Sequence, residues 1–253
     1  MTSRNFSKIK LVLKLSVVIP SFKGADVLSN NVPGLIAYFK QKNLSFEIII
    51  VDDGSQDNGA TKKLAEKLNC VFDANEKNAG KGSAVRRGML LAKGDFRIFT
   101  DVDIPFEYDA FDRFLEYLDE KEFDVVVGDR TLKGSSYFTE IPWIRKVGSN
   151  IFSFIVGRFV AGGHFDTQCG MKGFKANVAD DLFGVARIKG FAFDVELLYI
   201  SLKRNYDIKR LPVVLRCQEG SSVSVLRHGF GMLIDLFKIK RNHIRKKYSK
   251  QNA

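Results

Sequence analysis

Short apolar runs alternate with amphipathic stretches through the first half of the chain. The run at 15–19 (LSVVI) is β-branched and stops at Pro20. The run at 46–51 (FEIIIV) stops at Asp52-Asp53-Gly54-Ser55. Shorter runs at 71–73, 96–100 (FRIFT) and 124–127 complete a series of five predicted strands. Between them, helical periodicity predicts helices over 26–42, 59–68, 83–92 and 110–118. In the last of these, Phe111, Phe114, Leu115 and Leu118 share one face. Ser55 or Asp57 is placed to cap the second helix, and Gly94 to end the third. Continuous apolar strands separated by helices predict an α/β fold with a mostly parallel central sheet and helices on both faces.

The second half is less regular. Residues 143–160 have helical spacing, with Ile144, Val147, Ile151, Phe154 and Ile155 on one face. Residues 165–174 (FDTQCGMKGF) are polar and glycine-rich and carry no periodic signal. A helix is expected at 194–202 and a strand at 209–215 (KRLPVVL). Beyond 229, Phe230, Leu233, Ile234 and Phe237 recur at helical spacing before seven basic residues that stand against Asp235 alone. The predicted division is one α/β domain over 1–228 and a basic amphipathic segment over 229–253.

Composition narrows the function classes. The chain has 253 residues, enough for one sizeable core, and 45% hydrophobic with 27% charged residues excludes wholesale disorder. The net charge of +11 favours a polyanionic partner: a nucleotide, a nucleic acid or an anionic membrane. Single-strand nucleic-acid binders interleave aromatic and basic residues, whereas here the charge gathers in the tail, so no nucleic acid is expected. Cys70, Cys169 and Cys217 are widely spaced and odd in number, which argues against a disulfide framework or a zinc–cysteine site and for a reducing cytosol. The three histidines form no HxxxH pair. No apolar run reaches the roughly 18–20 residues of a membrane span. Lys14 breaks the only N-terminal apolar run, so no signal peptide is expected.

In an open α/β sheet, ligands bind beyond the carboxyl ends of the strands. Three such ends carry polar groups: Pro20-Ser21-Phe22, Asp52-Asp53-Gly54-Ser55 and Asp101-Val102-Asp103. If the fourth strand persists to Asp103, Asp101 and Asp103 point to one face. Two converging carboxylates repel unless a cation lies between them, and Mg²⁺ is commonly held by one or two carboxylates plus substrate phosphates. Asn78-Ala79-Gly80-Lys81-Gly82 precedes a helix, where backbone amides favour anions. It is neither a Walker A loop, with Asn75 and Gly82 at required Gly and Ser/Thr positions, nor G-x-G-x-x-G, with Val85 at the third glycine.

Taken in order, SVVIPSF, EIIIVDDGS, NAGKGSAVRRGM, FTDVDIPF, VVVGDR, DTQCGMKGF and FAFDVEL resemble family 2 glycosyltransferases of the GT-A fold. The resemblance is nearest to the polyprenyl-phosphate glycosyltransferases, the dolichyl-phosphate glucose and mannose synthase group, and covers about 15–224. It implies that Pro20, Ser21 and Phe22 border the donor nucleotide, that Asp53 recognises the base, and that Lys81 lies in the segment closing over the nucleotide. It implies that Asp101 and Asp103 bind Mg²⁺ or Mn²⁺ and the diphosphate. Arg130, Arg145 and Ser149 correspond to the acceptor-phosphate site, Asp166 and Gln168 to the sugar side, and Asp194 and Glu196 to the floor. Asp103, Asp166 and Arg130 are the expected catalytic groups. The implied reaction is metal-dependent, inverting transfer of a hexose, glucose from UDP-glucose in the nearest branch, to a polyprenyl phosphate. The alternative is the same donor with a glycan or other hydroxyl acceptor, which would need Asp166 or Asp194 as a base. Peripheral contact with the cytoplasmic face of a membrane, and a membrane-protein partner completing the lipid site, are also implied. The sequence departs from the family at Lys23-Gly24-Ala25-Asp26, where a glutamate usually supports the nucleotide, and in having no membrane span of the kind some relatives carry.

Overall fold

The computed structural model describes residues 14–136, 166–216 and 225–249. The helix expected at 143–160, with Arg145 and Ser149, lies outside them. In chain order the elements are β1 (Lys14–Ser21), α1 (Ala25–Gln41), β2 (Ser45–Asp52), α2 (Ala60–Lys67), β3 (Val71–Ala74), α3 (Lys81–Leu91), β4 (Phe96–Phe99), α4 (Asp109–Asp119) and β5 (Val125–Asp129). After these come β6 (Lys172–Lys175), α5 (Ala176–Val185), α6 (Phe193–Lys203), β7 (Ile208–Pro212) and α7 (Val225–Ile244).

The strands form one sheet in the order β3-β2-β1-β4-β6-β5-β7. All neighbours pair in parallel except β6, which runs antiparallel to both β4 and β5. Alternation along the strands sends side chains to two cores. Val17, Ile19, Ile48 and Ile50 meet Leu28, Val32 and Phe39 of α1 and Phe111 and Phe114 of α4. Val18, Ile49, Val51 and Phe99 face α3, α5 and α6, and Leu236 and Ile239 of α7 join that side. Phe99, Phe174, Phe183 and Phe193 form a linked ring cluster there. Each such buried ring contributes roughly 2–3 kcal/mol over an exposed one.

Several local expectations are corrected. β1 does not stop at Pro20. Val18 accepts the Thr100 N–H at 3.0 Å, so by alternation Pro20 faces the same edge, beyond the last β1–β4 pair. No ladder partner is left waiting for its missing N–H, and the strand continues to Ser21. The N-cap position of α2 is Gly59, and of the two candidates it is Asp57, not Ser55, whose carboxylate serves the helix start by accepting the backbone N–H groups of Gly59 and Thr61. Gly94 does not end α3; the helix stops at Leu91, and the Gly94 N–H donates to Ser16 Oγ at 2.8 Å. β6 and α5 carried no sequence signal. In β6, Gly173 is pressed between Ile98, Phe114 and Leu118, and a Cβ there would sit 3.0–3.2 Å from them. Lys172 is fully buried because its ammonium finds a carboxylate.

Candidate active site

The neighbours of β1 lie on opposite sides in chain order, β2 on one and β4 on the other. The sheet therefore opens a crevice at its carboxyl edge between them. Each polar cluster singled out above lands on that edge.

The ends of β1 and β2 are tied together. Ser55 donates its N–H to Asp52 at 3.0 Å, its hydroxyl also donates to Asp52, and it accepts the Lys23 N–H at 2.7 Å. Lys23, Gly54 and Gln56 take positive φ values of 52°, 71° and 51°, so the backbone turns sharply here. The result is a cleft of about 340 Å³ lined by Phe22, Lys23, Gly54, Ser55, Gln56, Lys77 and Asn78. The Phe22 ring is 47% exposed beside it, an aromatic face with a lysine ammonium 5.5 Å from its centroid. Such a site suits a flat base: a stacking surface, amide groups and positive charge.

Asp53 is buried and organises the cleft's far wall. Its carboxylate accepts the Asn75 amide at 2.7 Å and the Ala79 and Gly80 N–H groups at 2.9 and 2.8 Å. Both oxygens are thus engaged by residues 75–80, the segment that delivers Lys81. Gly80 has φ 103°, and a Cβ there would lie 2.5 Å from the Lys189 carbonyl oxygen, so this loop demands glycine for both reasons.

β4 ends at Phe99, and residues 101–104 form a turn closed by the Ile104 N–H on the Asp101 carbonyl at 3.0 Å. The strand therefore does not carry Asp101 and Asp103 out on one face as expected. The turn brings both near the same ammonium instead. Ile104, a β-branched residue at φ 41°, is strained in this turn, at a cost of order 1 kcal/mol. Lys81 Nζ lies 2.5 Å from Asp101 Oδ1. Burial works against the ammonium's charge, but Asp101, Asp194 and Asp103 outweigh it and hold Lys81 above the ordinary lysine range. On the other side of Asp101, Gly170 leaves room for its carboxylate; a Cβ there would be 1.9 Å from Oδ2.

Below this cluster, the buried Lys172 donates to Asp194 at 2.6 Å and to the Thr167 and Cys169 carbonyls at 3.1 and 2.9 Å. Burial raises the Asp194 carboxyl above its usual range, and the two lysines only partly offset this. Glu196, two residues on, accepts the Arg187 and Ile188 N–H groups and the Tyr248 hydroxyl, which pins the 187–190 loop under Gly80. The Cys169 thiol is buried and pushed up to about 12 by desolvation, which disfavours the thiolate.

Past β5, Arg130 and Asp166 form a two-pronged pair, Nε to Oδ2 at 2.6 Å and the terminal nitrogen to Oδ1 at 2.9 Å, with the Arg130 N–H adding a third bond. Burial opposes charge on Asp166, but the guanidinium holds its carboxyl below the usual range. Behind it, the fully buried Asp129 accepts from Thr131 and from Arg210 at 2.7 Å. Gln168 makes a long 3.5 Å contact with the Phe191 carbonyl. Ser21, Thr100 and Thr167 hold buried hydroxyls without a hydrogen-bond partner among the described residues.

The structure thus gathers Pro20, Ser21, Phe22, Asp53, Lys81, Asp101 and Asp103 at the crevice, with Asp194 beneath. Arg130, Asp166 and Gln168 form a second group linked to the first through Lys172, which bonds the Thr167 carbonyl and Asp194. Lys172, Gly170, Asp129 and Arg210 were missed. A lysine and a glycine in a polar run read as surface, and Asp129 and Arg210 are brought together only by the β5–β7 pairing.

The fold and this edge are those of a glycosyltransferase. Residues 16–183 match glycosyl transferase family 2, and the chain belongs to that family. It is a glycosyltransferase of the GT-A fold. It is 31% identical over 245 residues to a dolichyl-phosphate beta-glucosyltransferase of Drosophila melanogaster, covering 90% of this chain and 74% of the relative. It is 29% identical to a dolichyl-phosphate beta-glucosyltransferase of Dictyostelium discoideum, covering 91% and 75%. Among solved structures it is similar to glucosyl-3-phosphoglycerate synthase of Mycobacterium tuberculosis in complex with Mn²⁺, UDP and phosphoglyceric acid. That match has a TM-score of 0.67 at 16% identity and covers 95% of this chain and 80% of the neighbour. Mannosyl-3-phosphoglycerate synthase of Rubrobacter xylanophilus gives a TM-score of 0.68 at 18% identity, covering 95% and 76%.

Proposed function

We propose that the protein transfers glucose from UDP-glucose to a polyprenyl phosphate, with inversion and with a divalent cation, Mg²⁺ or Mn²⁺, at Asp101 and Asp103. The observation that carries this reading is the pair of acids after β4 with the Lys81 ammonium 2.5 Å from one of them. The relatives named for glucosyl transfer to dolichyl phosphate, matched over nine-tenths of the chain, support the acceptor.

The residues present fit a cation. An ammonium already stands against Asp101, so positive charge is accommodated at that carboxylate. Among the described residues no group of three or more His, Cys, Asp or Glu side chains is arranged to hold a metal. Two carboxylates completed by substrate phosphates and water suit Mg²⁺ or Mn²⁺. Such an ion, when bound, supplies charge neutralisation for the departing nucleoside diphosphate.

The chain's own groups divide the remaining work. Phe22 and the 54–56 turn border the base, and Asp53 fixes the segment that presents Lys81. Lys81 offers a second positive charge where the diphosphate's charge develops. An acceptor phosphate is already anionic at neutral pH, so no strong general base is needed. In this reading Arg130, oriented by Asp166, binds that phosphate, and the resemblance gives Arg145 and Ser149 a share in the same role. Asp194, held by Lys172, lines the floor. We place the enzyme as a peripheral protein at the cytoplasmic face of a membrane. Among the described residues no helix is long and apolar enough to cross one.

Thermal stabilisation by nucleoside diphosphates, with and without Mn²⁺, tests the donor side. A ligand that binds only the folded state raises its stability by mass action. UDP with Mn²⁺ is expected to stabilise more than UDP alone and more than GDP with Mn²⁺. Equal melting temperatures across the panel would reject the donor assignment.

A further inference from the structure

α7 is docked on the domain by one face only. Leu236, Ile239 and Asn242 are buried, His243 meets the Tyr199 ring, and Tyr248 beyond the helix reaches Glu196. The opposite face carries Ile234, Phe237 and Ile244, which are 43%, 74% and 79% exposed. At helical spacing these three and Arg241 fall within an arc of about 80°. Lys238 flanks that arc, the exposed Arg245, Lys246 and Lys247 follow directly after the helix, and Asp235, paired with Lys238 at 2.7 Å, faces inward beside Gly190.

We infer that this outward face of α7 is a membrane-docking surface, with Ile234, Phe237 and Ile244 entering the headgroup region of an anionic bilayer. It extends the reading of a lipid phosphate as acceptor. Apolar side chains bordered by lysine and arginine match an interface that is apolar below and negatively charged above. A second copy of the chain is a poorer occupant: a two-fold contact through this face would set the same basic residues against each other. The helix that carries this surface is joined, through its inward face, to the donor site. Asp235 lies against Gly190 in the loop that packs on Gly80, the residue before Lys81, and Glu196 ties that loop to Tyr248. A helix seated on the bilayer would therefore hold the transfer site at the membrane surface, where a lipid phosphate is presented.

Flotation of the full chain with vesicles tests this, using phosphatidylcholine alone or mixed with phosphatidylglycerol, at low and high salt. Binding is expected to the mixed vesicles, weaker at high salt. The double variant Phe237→Glu/Ile244→Glu is expected to lose at least tenfold in vesicle affinity. Its melting temperature should stay within about 2 °C, because both side chains are on the surface. No binding of the wild type at low salt, or equal binding of the variant, overturns the proposal. So does a wild-type dimer in sedimentation that the same variant disperses. Transfer to a short-chain, water-soluble polyprenyl phosphate separates the two claims. Transfer without vesicle binding leaves the acceptor reading standing and rejects the docking surface. Vesicle binding that the variant abolishes, without transfer to any lipid phosphate, supports the docking surface and rejects the acceptor reading.

Discussion

The Lys81 ammonium and the Asp101 carboxylate are in contact at 2.5 Å, at the point where two loops from different strands converge on the sheet edge. A divalent ion at Asp101 must compete with this resident charge, and a bound diphosphate gives the ammonium somewhere else to go. Lys81→Gln should therefore tighten Mn²⁺ binding in the absence of nucleotide. It should also weaken nucleoside diphosphate binding about tenfold, or about 1.4 kcal/mol. Calorimetric titration of each ligand alone checks both halves. Weaker Mn²⁺ binding in the variant would show that Lys81 does not occupy the cation's place.

Gly170 sets the space for the Asp101 carboxylate. A methyl group 1.9 Å from Oδ2 cannot be accommodated unless Asp101 moves. Displacement of a positioning group by about 1 Å can cost about 100-fold in rate. Gly170→Ala should accordingly lower kcat/KM by about that factor. Gly184→Ala, at a position where an added Cβ meets nothing within 4 Å, should leave it unchanged. The comparison of the two variants in one assay is the check.

The Arg130–Asp166 pair gives a pH signature. The Asp166 carboxyl titrates below its unfolded value of about 3.9. Its stabilisation is therefore fully present above that value and is lost as pH falls through the lower, folded one. Asp166→Asn leaves the partly solvated guanidinium without its partner and should cost roughly 1–3 kcal/mol at pH 7. The gap between wild type and variant should close as the pH falls below about 4. Urea unfolding at pH 7, 5, 4 and 3.5 measures it; a gap that stays constant over this range would contradict the assignment.

Much of this edge was legible in the chain. The run-and-turn pattern placed β1 to β5 and put Pro20-Ser21-Phe22, Asp52-Asp53 and Asp101–Asp103 at strand ends, because parallel strands are buried on both faces and their ends are not. What was illegible depended on distant partners. β6 reads as a polar segment since its Lys172 is neutralised by Asp194, 22 residues away, and its Gly173 exists to fit Phe114 and Leu118. Periodicity sees neither relation. The turn at 101–104 was hidden for the same reason: a β-branched Ile104 at positive φ is opposed by local preference and is held only by its surroundings.

Asp53 illustrates a role that a motif cannot give. Its carboxylate receives three hydrogen bonds from residues 75–80. Asp53→Ala removes the acceptor of the Ala79 and Gly80 N–H groups and the shorter of two for the Asn75 amide, at a cost of about 1–3 kcal/mol for a buried group. The variant should unfold at lower urea and show faster amide exchange at Ala79 and Gly80. Unchanged exchange at these two amides would mean that the segment is held by something else.

Asp103→Asn keeps the shape of the turn and removes one of the two carboxylates after β4. The extra melting-temperature rise that Mn²⁺ gives in the presence of UDP should disappear in this variant, while the rise from UDP alone persists. A retained Mn²⁺ increment would place the cation elsewhere.

The most direct measurement is transfer itself. The protein is incubated with labelled UDP-glucose, Mn²⁺ and dolichyl or undecaprenyl phosphate, and the mixture is extracted into organic solvent. The account predicts label in the organic phase that requires the lipid phosphate and is lost in Asp103→Asn. Label that remains aqueous with every lipid phosphate and every nucleotide sugar supplied would contradict it.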